Sequence, residues 1–261
     1  MLPDACGYDG RHVGGAVLRP AISAARGPAC AMDRLAPPWP IAAADAALRR
    51  LQQERIRGQV GDRILLVEHP EIVTVGRRAQ GDRISLPPGF PSFAVDRGGG
   101  LTWHGPGQLT IYPIVAWTLP GERSVLRVIE RLEDWLLAAF SRLGIPAVRD
   151  GRMRGAWVAG HKVASIGLAF DRWVTRHGLS INYATPPGRV EQIACCGLPP
   201  GTTTSLAALG IAAGRHDFEK ALRDAMPGAI GRVANSCAIN SLVTATELSS
   251  RRRSPPPISS P

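Results

Sequence analysis

Between residues 125 and 143, apolar side chains return every three or four positions. Val125, Val128, Ile129, Leu132, Trp135, Leu136, Phe140 and Leu143 carry the pattern. That period places them on one face of an α-helix. Ser124 can cap its start, Gly144 can close its end, and Pro146 prevents continuation. Residues 41–57 (IAAADAALRRLQQERIR) are rich in helix formers and stop at Gly58. A third, short helix is predicted over 218–226, with Asp217 as cap and Pro227 as stop.

Strand patterns differ in period and residue type. Residues 64–67 (ILLV) and 72–75 (IVTV) are short β-branched runs separated by His69-Pro70. Residues 93–95 and 108–115 (QLTIYPIV) flank a glycine-rich stretch, and a Gly/Pro-rich loop covers 81–92. Three strands are predicted at 156–159, 162–170 and 173–183, with turns at Gly160-His161 and Asp171-Arg172. The irregular order of strands and helices predicts an α/β (α+β) fold, a mixed β-sheet with flanking helices. No GxGxxG opens a helix after a strand and no Walker loop occurs, which argues against a Rossmann or P-loop nucleotide site.

Composition changes the picture in a few places. The 261 residues are 44% apolar and 20% charged, an ordinary globular balance. No apolar run reaches 18 residues, so no membrane span is expected. The formal charge is +10, but no basic block interleaved with aromatics appears, so nucleic acid is not an expected partner. Five cysteines (Cys6, Cys30, Cys195, Cys196 and Cys237) show no framework or CxxC spacing, which predicts a reducing, cytoplasmic setting. The six His show no zinc-ligand spacing, so no metal is expected. Residues 1–31 lack periodicity and read as an extension, with Met32 as an alternative start. From about 231 the chain turns to Ser, Arg and Pro, and 231–261 reads as a largely disordered tail, leaving 32–230 as the catalytic unit.

Four constellations can carry chemistry. The first is RGGGLTWHGPGQLTIYP at 97–113, where consecutive glycines let backbone approach a ligand and Thr102, His104 and Gln108 add polar groups. A tight surface turn is the plain alternative. The second surrounds Lys162. Only Lys162 and Lys220 are lysines among 31 basic residues, so Arg is this chain's default surface cation. In a regular strand Lys162 would share a face with Ala164, Ile166, Leu168 and Phe170. Apolar surroundings would lower its pKa and suit it to base chemistry; a strand-end lysine that snorkels to water is the other reading. The third is Cys195-Cys196-Gly197, where a loop thiol beside a cation can be a nucleophile, or a buried thiol can simply be a small apolar residue. The fourth is His177, which by alternation shares a face with Thr175, Leu179 and Ile181 and reads as a core or edge histidine.

Taken in order, EHPEIVTVGRRA (68–79), RGGGLTWHGPGQLTIYPI (97–114), GHKVASIGL (160–168), TRHGLSIN (175–182) and Cys196-Gly197 resemble the octanoyltransferases of lipoate biosynthesis. The resemblance covers about residues 40–210 and implies a biotin/lipoate protein ligase-like catalytic domain. It also implies an acyltransferase that moves an octanoyl or lipoyl group from acyl carrier protein to a lysine of a lipoyl domain. The implied acceptors are the lipoyl domains of 2-oxoacid dehydrogenase E2 subunits and the glycine cleavage H protein. By the same resemblance Cys196 is the thioester-forming nucleophile, and Lys162 lowers its pKa and acts as base. The implied substrate-binding residues are Arg97, Gly98, Gly99, Gly100, Leu101, Thr102, Trp103, His104, Ser165, Ile166, Gly167, Gly178, Leu179 and Ser180. No cofactor is implied, because a thioester donor is already activated. The chain departs from the family where Cys195 replaces the Pro that commonly precedes the cysteine, and at both ends. Three rival readings are an ATP-dependent ligase of the same fold, an amidotransferase acting between lipoyl domains, and a module that binds without turnover.

Overall fold

The computed structural model describes residues 27–36, 38–81, 86–194 and 198–235. In chain order these form β1 (Ala29–Arg34), α1 (Ile41–Ile56), β2 (Asp62–Val67), β3 (Ile72–Val75), α2 (Arg77–Gly81), β4 (Ser92–Ala94) and β5 (Leu101–His104). There follow β6 (Gln108–Ile114), α3 (Val125–Arg142), β7 (Gly155–Val158), β8 (His161–Asp171), β9 (Val174–Asn182), α4 (Arg215–Ile230) and β10 (Val233–Asn235). The described strands make a large mixed sheet ordered β10-β1-β2-β6-β9-β8-β7 and a small one ordered β4-β3-β5.

Why the large sheet forms is visible in β2. Ile64 and Leu66 join the cluster under α3 and α4, while Leu65 and Val67 join Leu48 and Leu51 of α1. A strand covered on both faces must be apolar on both, which explains ILLV. β6 divides the same way, with Leu109 and Ile111 on one side and Tyr112 and Ile114 on the other. The small sheet closes over its own cluster of Val73, Leu101, Trp103, Val190 and Ile193.

The expected mixed sheet with flanking helices is present, and α3 keeps its expected signals. Ser124 Oγ accepts from Arg127 N at 3.4 Å, and Gly144 follows the helix at φ 69°. Four elements differ from expectation. β5 occupies part of the glycine-rich stretch, with Leu101 and Trp103 buried on one side and Thr102 and His104 on the other. α4 starts at Arg215 and runs through Pro227 to Ile230. Asp217 acts from inside its first turn, accepting from Gly214 N at 2.9 Å. Helix continues past the proline because Met226 and Ile230 are both fully buried against the core. That burial outweighs an interior-proline cost of roughly 3 kcal/mol. The folded unit also extends past both expected boundaries. Ala29 pairs with Val233 in parallel, and Cys30 and Ala31 pair with Asp62 and Arg63 of β2. These short edge pairings are specified by distant backbone partners, so no local periodicity announced them. Residues 236–261, most of the expected tail, lie outside the described residues.

Candidate active site

A narrow cavity opens between the α1 face of the large sheet and the small sheet. Its floor is a patch of small residues on adjacent strands. Thr110 pairs with Ser180, Ser180 with Ser165, and Gly178 with Gly167. A side chain at Gly178 would place its Cβ 2.0 Å from Ile111 O, so only glycine lets β9 lie against β6 there. The walls come from Ile41, Asp45 and Leu48 of α1, Thr74 of β3, Thr102 and His104 of β5, and Arg97.

Polar wall groups are buried and matched. The Arg97 guanidinium donates from Nη2 to Thr74 Oγ1 and Thr102 Oγ1, each at 2.8 Å, and from Nη1 to Gly98 O at 3.0 Å. His104 Nδ1 meets Gln108 Oε1 at 2.7 Å, and Gln108 Nε2 donates to Trp103 O and Asn182 Oδ1. The amide oxygen accepts, so the imidazole carries its proton on Nδ1 and leaves Nε2 facing Thr74 Oγ1 at 3.1 Å. Burial, with the nearby His69 and Arg97, pushes His104 well below the usual histidine range. His69 is pushed down to about 4 by burial. It donates from Nδ1 to Trp39 O at 2.5 Å and accepts from Tyr112 Oη at 2.7 Å.

Lys162 lies on the side of β8 opposite to the one alternation predicts. β8 pairs with β7 as Ala156–Ala164 and then Trp157–Lys162, so one extra residue stands in β8. This bulge brings Lys162 round to the side of Ser165, and its Nζ donates to Ser165 Oγ. Ala164 and Leu168 stay in the apolar cluster under α3 and α4. The lysine is 2% exposed, so it does not snorkel to water. Its backbone also holds a returning segment: Lys162 N donates to Thr202 O at 2.8 Å, and Thr204 N donates to Lys162 O at 3.0 Å.

His177 departs from alternation too. It sits at φ 59°, in the left-handed region, at a cost of roughly 1–3 kcal/mol. Its ring lines the cavity instead of joining Ile181 in the core. Nε2 donates to Asp96 Oδ1 at 3.0 Å. Burial pushes His177 down to about 4 against the pull of Asp96. Asp45, Asp96 and His177 lie close enough to hold a cation, yet the cation there is Arg176, which donates to Asp45 and Asp96. Burial would raise Asp96, but its hydrogen bonds with Arg176 and His177 hold it well below the carboxylate range.

Of the expected binding residues, Arg97, Thr102, His104, Ser165, Ile166, Gly167, Gly178, Leu179 and Ser180 line this one cavity. Leu101 and Trp103 point away into the small-sheet cluster, and Trp103 Nε1 donates to Glu71 Oε1 at 2.9 Å. Gly98 N is bonded to Leu168 O at 2.9 Å, and Gly99 adopts φ 88° and accepts from Arg78 N, so these glycines shape the loop. Cys30 is buried with its thiol pushed up to about 12 by burial, which makes it an inert core residue. Cys195, Cys196 and Gly197 lie outside the described residues. Sequence reasoning missed Asp45, Thr74 and Thr110. A signal existed for Asp45, a carboxylate between Ile41 and Leu48 on the buried stripe of α1, and for Thr74, a polar residue inside IVTV.

Residues 41–226 match the family model of the lipoyl protein ligase A/B catalytic domain. The octanoyltransferase of Syntrophobacter fumaroxidans is 38% identical over 169 residues, spanning 62% of this chain and 73% of its own length. That of Clavibacter sepedonicus is 40% identical over 169 residues, 61% of this chain and 71% of its own. The chain belongs to the octanoyltransferase family. It is therefore an acyltransferase. Solved structures agree on the fold of this family member. A lipoate-protein ligase A bound with ATP aligns at TM-score 0.56 and 12% identity over 87% of this chain and 93% of its own. A bipartite lipoate protein ligase from Thermoplasma acidophilum aligns at TM-score 0.56 and 11% identity, over 87% and 91%. None of the described helices is long and apolar enough to cross a membrane.

Proposed function

We propose that this chain transfers an octanoyl or lipoyl group from the thioester of acyl carrier protein to a lysine of lipoyl domains, in the cytoplasm. Cys196 is the nucleophile and Lys162 its partner. Octanoyltransferase relatives support the acyl group, and the E2 lipoyl domain named with the Thermoplasma ligase supports the class of acceptor. The observation that carries the reading is the buried Lys162 brought beside Ser165 by the β8 bulge and joined through its backbone to Thr202 and Thr204. Thr202 follows Cys196 by six residues.

The chemistry is two acyl transfers. Thiolate at Cys196 attacks the donor carbonyl, the new C–S bond replaces the carrier's, and the carrier thiol leaves with a proton. The acceptor amine then attacks the enzyme thioester, an amide forms, and the cysteine sulfur leaves. As an ammonium, Lys162 stabilises the thiolate and gives the departing carrier sulfur its proton; as the neutral amine that remains, it takes the acceptor's proton in the second step. The small-residue floor and the apolar Ile41, Leu48 and Ile166 suit an acyl chain. No activated cofactor is required, since the thioester supplies the driving force.

Intact mass after mixing the chain with octanoyl-acyl carrier protein, without ATP, tests this. The expected result is one octanoyl adduct on Cys196 that a lipoyl domain discharges. Transfer only with octanoate and ATP, and no adduct, would establish the ligase reading instead.

A further inference from the structure

A buried chain of hydrogen bonds leaves the cavity wall and ends on the segment that holds Lys162. His104 Nδ1 donates to Gln108 Oε1 at 2.7 Å, Gln108 Nε2 donates to Asn182 Oδ1 at 2.8 Å, and Asn182 Nδ2 donates to Thr204 O at 3.0 Å. Gln108 and Asn182 are direct partners across β6 and β9. Asn182 holds the returning segment twice, because its backbone O also accepts from Leu206 N at 3.0 Å. Thr204 is held from other sides as well. Its N donates to Lys162 O, and its Oγ1 donates to Glu191 Oε1 at 2.7 Å. Glu191 O in turn accepts from Gly201 N at 2.8 Å, closing the loop between them. His104, Gln108, Asn182 and Thr204 are all buried.

Each amide in this chain uses both ends. Asn182 must accept from Gln108 and donate to Thr204 O, and Gln108 must accept from His104 and donate onward. Neither a carboxylate nor an apolar side chain of similar size can do both. A satisfied buried network of this kind fixes geometry, whereas a broken one leaves a carbonyl stranded without a donor.

We propose that Asn182 and Gln108 are positioning residues for acyl transfer. Together they clamp Thr204–Leu206 to the end of β9 and thereby set Lys162 against the chain that returns after residue 197. The inference rests on the roles proposed for Lys162 and Cys196. It predicts that loosening the clamp slows the chemical step and leaves donor binding almost intact.

The test uses the full chain with Asn182→Ala, and Gln108→Ala as the milder lesion, which removes the link from His104 but leaves Asn182 bonded to Thr204 O. Asn182→Ala is expected to lower kcat at least 10-fold with KM within about 3-fold, and to move the pH profile of Cys196 acylation upward. Gln108→Ala should shift both in the same direction by less. Unchanged kcat and pH profile, or a raised KM at unchanged kcat, would overturn the proposal. Hydrogen exchange on the unaltered protein serves where a variant does not fold. Thr204 and Leu206 amides should exchange as slowly as those of β9, and loop-like exchange there would remove the clamp. If the unaltered protein forms no adduct at Cys196 while those amides stay protected, the proposed reaction fails and the clamp does not.

Discussion

The two faces of the large sheet are made by the same strands and do opposite things. Under α3 and α4 the strands present Ile64, Leu66, Leu109, Ile111, Ala164 and Ile181, closed by Trp135, Phe140 and Phe218. On the α1 side the neighbouring positions are Thr110, Ser165, Gly167, Gly178 and Ser180, and large side chains give way to a cavity. The first face is packed throughout, whereas the second packs Leu65, Val67, Tyr112 and Ile114 against α1 and opens to a site only over its small residues. The difference teaches that pleat alternation is an economical way to separate stability from chemistry, provided that something fixes which residues face which way.

Variants on the two faces should therefore separate in what they lose. Cys196→Ala is expected to abolish both adduct and product in the mass assay, whereas Cys195→Ala keeps most activity; a dead Cys195→Ala would reassign the nucleophile. Lys162→Ala should lower the transfer rate by roughly 10²-fold or more and move its pH profile upward, with a profile that stays put counting against its role. On the opposite face, Phe140→Ala should cost about 3–5 kcal/mol of stability, read as a lower urea midpoint, with the folded fraction still forming adduct. Ser180→Ala, on the cavity floor, should change stability by under about 1 kcal/mol in the same measurement.

A pH titration sharpens the contrast further. His69 and His177 are held near 4 in the folded chain against an unfolded value near 6.5. Between those values the unfolded chain binds protons that the folded chain refuses. Their stabilisation is complete above pH 6.5 and is lost as pH falls toward 4, by up to about 1.4 kcal/mol per pH unit per histidine. Urea midpoints measured from pH 7 to 4 should fall accordingly, and His69→Gln should flatten the slope. A slope unaffected by that change would mean that His69 is not buried neutral.

Legibility followed the range of the interactions. α3 was readable because its period, cap and closing glycine lie within 20 residues. β8 was readable as a strand, but the direction of Lys162 was not. One inserted residue in the ladder reverses it, and the pairing with β7 that creates the bulge has no local signature. His177 failed for a related reason, since its left-handed backbone turns the ring toward Asp96 and Asp45, both far away in the chain. Trp103 was misplaced because it lies one position out of phase with Thr102 and His104 on a strand that its glycine neighbours hid.

Local patterns in the sequence specify the fold class, the long helix and the covered strands, and motif order points to three of the segments that line the cavity, around Arg97, Ser165 and Gly178. Only the folded chain shows which side of each strand faces the cavity, where the sheet's edges end, and that Asp45 and Thr74 join the wall and Thr110 the floor. Those outcomes depend on strand register and on pairing between strands, some joined by tight turns and others far apart in the chain. A single-residue slip exchanges the two faces of a strand without altering its composition.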